Sequence, residues 1–124
     1  MPKVLLIEDD AILLKLYKMA FEKAGQDMNL LSTNKGREGL AMIKREKPDL
    51  VLLDIKIDDL DGLEILKQIK ADPETEKIKI IMLTNVSEEA VIAEAQNSGA
   101  DEVVFKTEIT PPQLVELARE RLKK

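Results

Sequence analysis

Five short runs of β-favouring residues alternate along the chain with five longer stretches of helical period. That alternation restricts the fold more than any other feature. The runs are Lys3 to Glu8 (KVLLIE), Asn29 to Ser32, Asp49 to Asp54 (DLVLLD), Ile78 to Leu83 (IKIIML) and Glu102 to Phe105 (EVVF). The first, third and fourth are almost unbroken in apolar residues, as expected of strands covered on both faces of a parallel sheet. The second and fifth are weaker and belong nearer the edges. Between the strands, Leu13, Leu16, Tyr17 and Ala20 share one helical face, and that helix should stop near Gly25. Leu40 and Ile43 anchor a second helix ended by Pro48, because the residue before a proline disfavours helical backbone. Leu63, Leu66 and Ile69 mark a third, halted at Asp72-Pro73. Ser87-Glu88-Glu89 supplies an N-cap and an acidic first turn for a fourth, which closes at Gly99. Thr110 caps the last, with Pro111 and Pro112 in its first turn and Leu114, Leu117 and Ala118 facing inward. Short connections between alternating strands and helices imply parallel strands, right-handed crossovers and helices on both faces. The expected fold is therefore α/β, a three-layer (βα)5 sandwich filling residues 1–124 as one domain.

Composition narrows the chemistry. The 124 residues include no Cys, no His and no Trp, and 24 acidic residues against 19 basic ones leave a net charge of −5. Thiolate nucleophiles, zinc–cysteine sites, His-based triads and histidine proton shuttles are excluded. The acidic balance argues against direct nucleic-acid binding. No apolar run is long enough to span a membrane, and no secretory leader pattern follows Met1. A cytoplasmic location is the expectation.

In an open parallel sheet of this kind, ligands bind beyond the carboxyl ends of the strands. Those ends carry Glu8, Asp9 and Asp10 after the first strand, Asp54 on the third, Thr84 and Asn85 after the fourth, and Lys106 after the fifth. Asp10 is better placed to cap the following helix. Carboxylates gathered on one rim repel one another unless a cation intervenes. An all-oxygen donor set suits Mg²⁺, which tolerates few carboxylates and keeps several waters. One such ion with Lys106 would offset the charges of Glu8, Asp9 and Asp54, leaving a neutral site able to accept a phosphoryl group. A carboxylate can itself be the nucleophile, while Lys106 and Thr84 hold the phosphoryl oxygens.

The motifs IEDD, PDLVLLD, the Asp-Gly pair at 61–62, MLT and GADEVVFK keep an order and spacing that resemble the bacterial response-regulator receiver domain, over residues 3 to 123. That resemblance implies a flavodoxin-like sheet of order 2-1-3-4-5. It implies that Asp54 is phosphorylated by a phosphohistidine on a sensor kinase or phosphotransfer protein, or by small acyl phosphates. It implies that Mg²⁺ is held by Asp9, Asp54 and the main-chain carbonyl of Lys56, with Glu8 acting mainly through metal-bound water. Thr84 would reorient toward the phosphoryl group and Lys106 would pair with it. Output would leave through the face of the fourth helix, fifth strand and fifth helix to a downstream protein. The chain would be a receiver without an effector domain, and no enzyme beyond its own phosphorylation and dephosphorylation. The absence of His implies that the phosphodonor is external.

The sequence departs from that family in several places. Lys56 stands two residues after Asp54, where an apolar residue is common. Asp58-Asp59 replace a Pro-Gly pair and add negative charge at the rim. Asn85 replaces a small residue, which narrows access to the site. Val103 stands where an aromatic often reports phosphorylation, and Thr107 replaces the proline after the lysine. The competing reading is a phosphorylation-independent adaptor on the same fold.

Overall fold

The computed structural model describes residues 1–85 and 88–123. Its elements are β1 (Lys3–Ile7), α1 (Ala11–Lys23), β2 (Asn29–Thr33), α2 (Gly36–Glu46), β3 (Leu50–Asp54), α3 (Gly62–Ala71), β4 (Lys79–Thr84), α4 (Glu89–Asn97), β5 (Glu102–Phe105), a 3₁₀ turn (Lys106–Glu108) and α5 (Pro111–Leu122). All strand pairs are parallel and the order is β2-β1-β3-β4-β5. The weak second and fifth strands are thus the two edges.

Strand alternation sorts the core into two layers. Val4, Leu6, Leu50, Leu52, Ile81 and Leu83 pack with Tyr17 and Phe21 of α1 and with Leu114, Val115 and Ala118 of α5. Leu5, Ile7, Val51, Leu53, Ile80 and Met82 pack with Ile43 of α2, Ile65, Leu66 and Ile69 of α3, and Ala95 of α4. The three central strands carry most of this burial, which explains their unbroken apolar runs. Each fully buried Leu or Ile contributes about 1.5–3 kcal/mol relative to exposure.

Helix ends follow local chemistry. Asp10 Oδ1 accepts from the amides of Ile12 and Leu13 at 2.9 and 3.2 Å, the N-cap expected of it. At α5, Thr110 accepts from the Gln113 amide while the Gln113 side chain accepts from the Thr110 amide, a complete capping box with Pro111 at the first helical position. Helix α2 ends at Lys47, which adopts left-handed backbone (φ 45°) just before Pro48.

Some boundaries shift. Glu8 lies just past β1, and β4 runs one residue later than its apolar run suggests, so Thr84 is its last residue. On α1, Leu16 is 46% exposed and does not join the core; Tyr17 and Phe21 do. The inward line of α1 has a four-residue step, Leu13–Tyr17–Phe21, and Leu16 falls beside it with Ile12 and Met19 on the exposed side. The expected cap Ser87 lies outside the described residues; α4 begins at Glu89, with Glu88 at the cap position and no side-chain cap bond.

Candidate functional site

The carboxyl ends of β1, β3 and β5 converge on three charged side chains that the strand phase places together. Glu8 continues the alternation of Val4 and Leu6, and Asp54 that of Leu50 and Leu52, so both follow the layer facing α1 and α5. Adjacent pairing of β1 with β3 brings Ile7 beside Leu53, which sets Glu8 next to Asp54. The edge strand β5 delivers Lys106 at the start of its 3₁₀ turn.

The lysine bridges the two acids. Lys106 Nζ lies 2.9 Å from Glu8 Oε2 and 3.0 Å from Asp54 Oδ2. Its side chain is 6% exposed, a buried ammonium rather than a solvated one. Glu8 Oε2 also accepts from the Asp10 amide at 3.1 Å. Oε1 is 2.8 Å from the same lysine nitrogen yet has no aligned hydrogen-bond donor, although it is fully buried. A buried carboxylate oxygen that has an ion-pair partner but no aligned donor suits a hard cation or one of its waters as a further partner.

The electrostatics agree with that geometry. Burial pushes the Glu8 carboxyl up to about 7 from an ordinary 4.5, with the Asp54 charge adding to the rise; the Lys106 hydrogen bond opposes it. One cation shared by two carboxylates under-compensates the site. Tyr17 registers the same excess: burial first, then the charges of Glu8 and Asp54, push its hydroxyl up to about 12. That hydroxyl has no hydrogen-bond partner among the described residues.

Above these groups opens a cleft of about 350 Å³ lined also by Asp9, Lys56 and Asn85. Asp9 is partly buried and Lys56 exposed. Thr84 is buried at the end of β4, and the β4 side of the cleft is Asn85. Among the described residues no three carboxylates are close enough to cage a metal unaided. The set fits an ion that completes its shell with water and a main-chain carbonyl, which is the habit of Mg²⁺.

The floor of the site depends on Gly62. A Cβ there would lie 2.1 Å from the carbonyl oxygen of Asp54 and 2.9 Å from Ile55 Cα, so only glycine lets α3 start against the end of β3. Asp61 caps α3 by accepting from the Leu63 amide at 2.9 Å.

Sequence reasoning missed two contributors. Tyr17 reads as ordinary core, yet the charges of Glu8 and Asp54 act on its hydroxyl. Asp59, read as a rim charge, instead binds the first amides of α2: Oδ1 accepts from Gly36 at 2.7 Å and Oδ2 from Arg37 at 3.0 Å.

A parallel five-stranded sheet of this order, with acids and a lysine meeting at its carboxyl edge, defines a flavodoxin-like α/β domain whose site lies where that fold binds its ligands. Residues 4–119 match the response regulator receiver domain, and the chain belongs to that family: it is a receiver domain of a two-component response regulator. It is 33% identical to the chemotaxis protein CheY of Thermotoga maritima over 115 residues, 92% of each chain. It is 29% identical to the polar-differentiation response regulator DivK of Brucella anthropi, covering 98% of both. The crystal structure of a CheY-like receiver domain protein from Methanospirillum hungatei superposes with a TM-score of 0.85 at 31% identity, covering 98% of this chain and 94% of that one. The chain spans about half the length of other curated relatives it matches. No described helix is long and apolar enough to cross a membrane.

Proposed function

We propose that this receiver is a Mg²⁺-dependent phosphoacceptor whose nucleophile is Asp54, supplied by a phosphohistidine on a partner kinase or phosphotransfer protein. The observation that carries the reading is the Lys106 ammonium held between Glu8 and Asp54 at the carboxyl end of the sheet. A buried lysine beside the Asp54 carboxylate supports this reading, because its ammonium would meet an arriving phosphoryl oxygen.

An Asp54 carboxylate oxygen attacks phosphorus as the bond from phosphorus to the donor imidazole nitrogen breaks, and the freed imidazole takes up a proton. Little covalent work falls to the protein, whose role is positioning and charge neutralisation. Lys106 pairs with one phosphoryl oxygen and the Thr84 hydroxyl serves another. Asp9, Asp54 and the Lys56 carbonyl would hold Mg²⁺, with Glu8 acting through water, and the ion would offset negative charge on the phosphoryl group. Asn85 and Lys56 flank the way in and restrict which donors reach Asp54. The signal leaves through the face of α4, β5 and α5 to a downstream protein, in a cytoplasmic setting.

Incubation with Mg²⁺ and acetyl phosphate, followed by intact mass, tests this. A gain of one phosphoryl mass is expected in the native chain and none in Asp54→Asn or in EDTA. No gain in the native chain would overturn the reading in favour of a phosphorylation-independent adaptor.

A further inference from the structure

The segment from Ile55 to Asp61 carries the Lys56 carbonyl and is fastened at several points. The Ile55 amide donates to the Leu83 carbonyl at 3.0 Å, and the Gly62 amide donates back to the Ile55 carbonyl at 2.9 Å. Ile55 and Ile57 are buried in the α2–α4 layer. Its outer half is tied to α3 by the Asp61 cap, rests on the core layer through Leu60, and is joined to α2 by Asp59 and by a close approach of backbone. A Cβ on Gly36 would lie 2.7 Å from the Leu60 carbonyl oxygen, so the loop backbone rests directly on the first residue of that helix. Lys35, at the cap position of α2, makes no side-chain cap bond. Asp59 does that work from 22 and 23 residues away, through one oxygen to each amide. Its neighbour Asp58 is exposed, with no hydrogen bond or ion pair among the described residues.

We propose that Asp59 is a positioning residue: by capping α2 it fixes the backbone of the β3–α3 loop and thereby sets how tightly the site takes Mg²⁺. The inference rests on the metal-binding reading of Asp54 and Lys56 above. A side-chain ligand can adjust by changing rotamer, but a main-chain carbonyl sits only where its backbone is held. Mg²⁺ demands near-ideal octahedral geometry, so slack in that loop weakens binding directly. The Asp-Asp pair in place of Pro-Gly then has a division of roles. The first acid is a solvated charge; the second replaces the stiffness that a Pro-Gly turn would supply with a clamp onto the neighbouring helix.

The test compares Asp59→Ala, Asp59→Asn and Asp58→Ala in the full chain. Amide hydrogen exchange is measured without metal, Mg²⁺ affinity by calorimetry, and acetyl phosphate reactivity across Mg²⁺ concentrations. Asp59→Ala should lose protection at Gly36 and Arg37 and weaken Mg²⁺ binding by about tenfold, while its rate at saturating Mg²⁺ stays near the native one. Asp59→Asn keeps one acceptor and should fall between; it also carries the comparison if Asp59→Ala does not fold. Asp58→Ala removes the same charge from the same loop and should keep both protection and affinity. Equal weakening by Asp58→Ala and Asp59→Ala would overturn the proposal, since charge alone would then account for it. Native affinity in Asp59→Ala would overturn it as well. If the native chain itself gains no phosphoryl mass and binds no Mg²⁺, the functional reading fails first. A native chain that reacts normally beside an unaffected Asp59→Ala removes the positioning role alone.

Discussion

Glu8→Gln tests the electrostatics of the site without touching the proposed acceptor. Glu8 is fully buried, and desolvation is the largest cause of its rise from 4.5 to about 7. A displacement of that size corresponds to about 3 kcal/mol between the protonated and ionised forms. The sign follows from proton binding: between these values the folded chain keeps a proton on Glu8 that the unfolded chain has lost. Stability from this group is therefore full below pH 4.5 and is lost as pH rises through about 7. Asp27, Glu46 and Asp59 have carboxyls held below their ordinary range by hydrogen-bond donors, so their contributions disappear only at more acidic pH. In EDTA, the native chain should lose on the order of 3 kcal/mol of unfolding free energy between pH 5 and pH 8. Glu8→Gln keeps the shape, cannot ionise, and should be nearly flat over the same interval. Urea unfolding followed by circular dichroism, with unchanged m-values, measures both. A native profile without that decline, or a Gln variant that retains it, would refute the reasoning. Added Mg²⁺ should restore native stability most at pH 8, where the carboxylate must be ionised.

Two substitutions probe the surroundings. Tyr17→Phe removes a buried hydroxyl that has no hydrogen-bond partner among the described residues, and should raise stability in urea by about 1 kcal/mol. Gly62→Ala forces a Cβ to within 2.1 Å of the Asp54 carbonyl oxygen, with backbone rather than a flexible side chain in the way. It should cost about 3 kcal/mol or more and displace Asp54, seen as a lowered urea midpoint together with slowed acetyl phosphate reactivity.

The order of elements was legible in the sequence because each central strand is a continuous apolar run closed by a polar residue at the site. Hydrophobic period located α1 but misassigned Leu16, since a three-residue and a four-residue step are equally helical. Only docking against α5 and the sheet selects the line Leu13–Tyr17–Phe21. Glu8, Asp54 and Lys106 were identifiable as strand-end residues; that the lysine is buried between the acids depends on β1, β3 and β5 meeting in space. Asp59 was legible only as charge. Its partners are backbone amides 22 and 23 residues earlier, and an amide leaves no mark in a sequence. The same holds for Tyr17, whose type says core and whose surroundings say electrostatic neighbour of the site.

The four residues of β5 are all half-buried, and they form one edge of the sheet, paired on one side only. Elements with few buried contacts open locally at the lowest free energy. Lys106 is therefore held from an edge strand, whereas Glu8 and Asp54 follow strands paired on both sides. A change of charge at Asp54 would then be felt at an edge strand before the doubly paired centre. The force arising at the site would travel outward along a compliant margin, and the rigid middle would serve as its anvil.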